Sequence, residues 1–127
     1  MSECLKNKAL YHYSRGQNCS QCLLKAAESC HGIKLTRNCL AMCEGINNGF
    51  GVGATCSVLI AGIMLFGIIL DETAAKQARL ALLSKCCERY GSLDCAAIKK
   101  WRKNGRACED IVGEIAGMTE AILGEYI

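Results

Sequence analysis

Gly49-Phe-Gly-Val-Gly-Ala-Thr-Cys56 runs directly into Ser57-Val-Leu-Ile-Ala-Gly-Ile-Met-Leu-Phe-Gly-Ile-Ile69, a glycine-rich loop followed by thirteen mostly apolar residues. The apolar run is too short to cross a bilayer, where about 20 residues are needed. It therefore predicts a core helix, apolar all round, that stops at Asp71-Glu72. A thiol at Cys56 would then stand at the mouth of a buried helix. The first N–H groups of a helix have no partner within it and carry partial positive charge, so they favour a thiolate, a sulfide or another anion placed against them. Cys56 is accordingly the leading residue for chemistry, with Gly51 and Gly53 letting backbone approach either a bulky inorganic centre or a neighbouring helix.

Outward from this segment, periodicity predicts helices and no strands. A first helix is expected over about Glu3 to Ser14 and a second from Cys19, capped by Asn18, to His31-Gly32. Thr36 caps a short third, and Asp71 or Thr73 opens a long one ending at Tyr90-Gly91. Another begins near Cys95 and breaks near Asn104-Gly105. Ile111, Val112, Ile115, Met118 and Ile122 give the last helix its apolar face, at three- and four-residue spacing. The expected fold is all-α, a compact bundle around a buried apolar central helix, with residues 1–127 forming one domain.

The chain has 127 residues, 13 Gly, no Pro and 11 Cys, with 51% hydrophobic residues. That composition is globular, and the length closes a core without covalent staples. Met1-Ser-Glu-Cys-Leu-Lys-Asn-Lys8 shows neither an apolar stretch nor a cleavage site, so a cytoplasmic location is expected. Thiols in that compartment serve as metal ligands, redox groups or small buried hydrophobes. The net charge is +3. Lys99, Lys100, Arg102 and Lys103 around Trp101 read as a solvated helix end with one anchoring aromatic, so neither nucleic acid nor membrane is expected as a partner. His12 and His31 fit no metalloprotease or deaminase pattern and read as surface or capping residues.

Four cysteines fall at helix starts: Cys19, Cys56, Cys95 and Cys108. Converging helix N-termini supply donors and favourable dipoles to a thiolate-ligated centre, so these four are the expected metal ligands. Cys22 forms a C-x-x-C with Cys19, and Cys39 with Cys43 shares a helix face; these and the adjacent Cys86-Cys87 are weaker ligand candidates. Cys4 and Cys30 read as structural or incidental.

The order Asn18-Cys19, glycine loop into Cys56 and an apolar helix, Tyr90-Gly-Ser-Leu-Asp-Cys95, then Cys108-Glu-Asp-Ile-Val112 resembles the redox-active family named for its cysteine pattern, C-GCAxxG-C-C. The likeness runs from about Gln17 to the C-terminus. It implies a helical redox protein, often found in anaerobes, with Cys19, Cys56, Cys95 and Cys108 around an iron–sulfur or similar iron centre. Where the family has Cys-Gly-Ala-x-x-Gly, this chain has Cys56-Ser-Val-Leu-Ile-Ala61, with Gly62 one place late.

Three readings stay open at this point. One is an iron–sulfur protein for electron transfer or a reductive reaction. Another is a cofactor-free thiol–disulfide protein with Cys56 as a reactive thiol of low pKa, resolved by Cys19, Cys22 or Cys95. The third binds zinc or another soft metal. Whether the protein is an enzyme is left open, and its electron-transfer partner is unnamed. Gly62, Gly67, Gly113 and Gly117 serve either a homodimer contact or internal packing.

Overall fold

The computed structural model describes residues 3–102 and 108–127. Seven α-helices form among the described residues: α1 (Cys4–Ser14), α2 (Cys19–His31), α3 (Arg37–Met42), α4 (Ser57–Ile69), α5 (Glu72–Tyr90), α6 (Cys95–Ile98) and α7 (Glu109–Leu123). Among the described residues there is no strand, only an isolated antiparallel bridge between Thr55 and Asp94. The all-α expectation is borne out.

Local chemistry sets most helix ends. The Asn18 side chain accepts from Gln21 N–H at 3.0 Å and Gln21 Oε1 accepts from Asn18 N–H at 3.2 Å, a reciprocal cap on α2. Thr36 Oγ1 accepts from Cys39 N–H, and Asp71 Oδ1 from Ala74 N–H. Gly32 and Gly91 end α2 and α5 in the left-handed conformation. The expected helix from Cys95 is cut short: α6 lasts one turn and tightens into a 3₁₀ turn, Lys99–Trp101. The break expected at Asn104-Gly105 lies outside the described residues, as does Lys103.

α4 packs against α2, α5 and α7, while α1 lies across α2 and α7. Val58, Leu59, Leu65 and Phe66 of α4 are fully buried, each stabilising the fold by about 1.5–3 kcal/mol relative to exposure. α4 is not covered all round, however. Its neighbours leave one side open, where Met64 and Ile68 are exposed despite the uniformly apolar sequence. Gly62 marks the closest approach inside the bundle, since a Cβ there would meet Thr119 Oγ1 at 2.8 Å and Leu82 Cδ2 at 2.9 Å. Gly62 and Gly113, the latter facing Leu10, thus serve internal packing.

Candidate functional site: a four-cysteine cavity

The site is assembled by a bridge that no local pattern announces. Cys56 N–H donates to Leu93 O at 2.9 Å and Cys95 N–H to Ala54 O at 2.6 Å, so the backbones leading into α4 and α6 are clipped together at the two cysteines. Before the clip, Asn48, Gly49, Phe50, Gly51 and Gly53 all have positive φ. A Cβ at Gly53 would come within 2.9 Å of Ala96 Cβ, so this glycine lets the loop lie against α6. Gly51 is exposed, and neither it nor Gly53 lines the cysteine cavity.

Cys108 arrives from the other side as the N-terminal flanking residue of α7, its N–H held by Tyr13 Oη of α1 at 2.9 Å. Cys19 is the first residue of α2. All four cysteines line one cavity of about 20 Å³ whose remaining walls include Val58, Ile98, Ile111 and Val112. That volume holds about one water-sized body. Cys56 and Cys95 are buried at its back. Cys19 and Cys108 also line an open depression that includes Tyr13, Asn48, Lys99 and Arg102. An outer pair therefore faces solvent and an inner pair stands behind it.

Electrostatics separates the outer two. Cys19 donates a hydrogen bond to the Cys108 sulfur, which lowers the Cys108 pKa and raises that of Cys19. Lys99 and Arg102 add to the lowering at Cys108, against the opposing effect of burial. The pair thus holds one proton between two sulfurs. The low pKa expected at Cys56 is not found. Burial pushes the Cys56 thiol up, although the backbone N–H groups of Leu59 and Val58 favour its thiolate, because desolvation of the anion outweighs them.

The remaining cysteines stand elsewhere. Cys22 is fully buried, its sulfur directed to Gln17 O, and burial pushes its pKa up to about 12. Cys86 is buried against Met118 and is likewise pushed up to about 12 by burial. Cys39 bonds Thr36, Cys43 bonds the Cys39 carbonyl, and Cys87 is exposed. None of these five lines the cavity. Cys4 and Cys30, expected to be structural or incidental, are joined in a disulfide.

Sequence reasoning missed Tyr13, Asn48, Lys99 and Arg102. Lys99 and Arg102, expected in a solvated cluster, both flank Cys108, and Lys99 Nζ also donates to Asn48 Oδ1 at 3.3 Å. Their charge was visible in the sequence; its direction was not. Trp101 is the expected anchor, donating from Nε1 to Tyr90 O at 3.1 Å under the Arg89 guanidinium.

The family described as "Putative redox-active protein (C_GCAxxG_C_C)" matches residues 17–122. The chain belongs to this family. All four cavity cysteines fall within the matched residues of this family member. No curated protein and no solved structure matches the chain. Among the described residues, no helix is long and apolar enough to cross a membrane.

Proposed function

We propose that the protein is a redox carrier whose Cys19, Cys56, Cys95 and Cys108 hold an iron–sulfur or related iron centre. The observation that carries this reading is the convergence on one cavity of four cysteines spread over the chain from residue 19 to residue 108. The donor set fits soft, thiolate-preferring metals. Lys99 and Arg102 would offset the negative charge of a thiolate-ligated centre, and the N–H groups of Val58 and Leu59 face the Cys56 sulfur. Among the described residues no three His, Cys, Asp or Glu side chains already stand at metal-binding spacing, so holding a metal would take side-chain adjustment at the four cysteines. The cavity volume suits a single ion, and a polynuclear cluster requires its open Cys19–Cys108 side to widen. When bound, such a centre supplies one-electron transfer. The protein's part is to bury the inner ligands among Val58, Ile98 and Val112 while leaving the outer pair within reach of an electron partner.

Iron and acid-labile sulfide, measured on protein purified without oxygen, test the proposal. Iron with sulfide supports a cluster, iron alone a mononuclear site, and zinc a structural centre. Metal-free protein that cycles two thiols per turnover would replace it with the thiol–disulfide reading. That second reading has its own support in the hydrogen-bonded Cys19–Cys108 pair, with Cys108 rather than Cys56 as the nucleophile.

A further inference from the structure

At the opposite end of α2 from Cys19 the disulfide Cys4–Cys30 lines a cleft of about 490 Å³, a volume typical of small-molecule sites. Both cysteines are only partly buried, so the bond is open to the cleft. Three side chains able to bind or move a proton share its walls: His31, Lys85 and Glu120. Glu120 is a buried acid on α7, whose other buried residues are mostly apolar. Its Oε1 accepts from Leu5 N–H at 3.1 Å and its Oε2 lies 3.0 Å from His31 Nε2, with His31 and Glu120 side chains 15% and 8% exposed. A bridge whose task was only to tie α1 to α2 would need neither this cleft nor a buried carboxylate–imidazole pair beside it.

We propose that Cys4–Cys30 is an exchangeable disulfide that accepts two electrons from a small dithiol bound in the cleft. This site is separate from the four-cysteine cavity and does not depend on what that cavity holds. The two sulfurs are not equivalent. Cys4 is the first residue of α1, and Cys30 lies in the last turn of α2. A thiolate is favoured at a helix N-terminus and disfavoured at a C-terminus, which makes Cys4 the leaving group and Cys30 the sulfur attacked.

The first thiol of the dithiol gives its proton to His31 and forms a bond to Cys30 Sγ. The S–S bond breaks, its electron pair leaves with Cys4 Sγ, and the proton passes from His31 to that sulfur. The second thiol then attacks its partner sulfur in the mixed disulfide and releases Cys30, which takes the second proton. The dithiol departs as a cyclic disulfide, oxidised by two electrons, and Cys4 and Cys30 are both thiols. Glu120 holds the imidazole in place. Lys85 supplies the positive charge that attracts the incoming sulfur anion.

Dithiothreitol is the probe for the full-length native protein, with alkylation and peptide mass mapping reading Cys4 and Cys30 specifically. Reduction of this bond should saturate with dithiothreitol concentration and exceed the rate in urea-unfolded protein. His31→Gln should lower the limiting rate by about a hundredfold, within the range of general acid–base catalysis, at unchanged half-saturation. Lys85→Gln, on an exposed stem and tolerant of substitution, should raise the half-saturating concentration. The proposal is overturned if native reduction is slower than in the unfolded chain, if the rate rises linearly without saturation, or if both variants match the parent.

Discussion

The shared proton between Cys19 and Cys108 makes stability depend on pH in a direction that can be worked out. Cys108 is lowered to about 6 by the Cys19 hydrogen bond, Lys99 and Arg102, while Cys19 is raised by the same bond and by burial. In the unfolded chain both titrate as ordinary thiols, near pH 8.5. Between about pH 6 and 8.5 the folded pair carries one proton and the unfolded pair two, so stability rises with pH in that window. Taken singly, the Cys108 contribution is present above the unfolded value and lost as pH falls through the folded one. The raised Cys19 contributes fully below the unfolded value and loses its effect as pH rises, so the trend reverses above about 8.5. The slope cannot exceed about 1.4 kcal/mol per pH unit, the value for one proton, and the open depression beside the pair reduces it by solvent screening. Urea unfolding of metal-free protein under argon, at half-unit steps from pH 6 to 10, measures it. Cys19→Ala removes the donor, so the rise should flatten and iodoacetamide labelling of Cys108 should need higher pH. A parent profile that is flat or falling from 6 to 8, or a Cys19→Ala profile identical to it, would refute the shared-proton arrangement.

Other sites give sharper stability tests. Phe50 holds φ 63° in a loop where glycine is the natural residue, so Phe50→Gly should stabilise by about 0.5–1 kcal/mol, read as a raised urea midpoint. Gly62→Ala places a Cβ against Thr119 and Leu82, and should destabilise by about 1–2 kcal/mol in urea unfolding despite alanine's better helix propensity, with a less than additive loss when it is combined with Leu82→Ala. Tyr13→Phe removes the acceptor for Cys108 N–H, costing about 1–2 kcal/mol in thermal unfolding. Replacing Cys4 and Cys30 together with Ala opens a loop of sequence separation 26 and should lower stability by about 3–4 kcal/mol in urea unfolding.

The helices were legible in the sequence because what defines them is short-range. Asn18, Thr36 and Asp71 each cap a helix by reaching an N–H three residues on, and the spacing of Ile111, Val112, Ile115 and Ile122 prescribes the buried face of α7. The four cysteines could likewise be picked out by position, because a helix start is a local event. Their meeting was not legible. It depends on the Thr55–Asp94 bridge and on the Tyr13–Cys108 bond spanning 95 residues. Which face of a cysteine is charged or dry was hidden too: Lys99 and Arg102 turn toward Cys108, and burial reverses the pKa expected at Cys56.

By itself, then, the order of residues determined an all-α chain of capped helices with thiols at helix starts, since propensity, periodicity and capping act within about four residues. The packing of α1, α2, α4 and α7 decided which thiols meet in a cavity and which two join in a disulfide beside His31 and Glu120. Contacts between residues far apart in the chain form only once buried side chains have fixed how the helices lie on one another, and no local pattern encodes that arrangement.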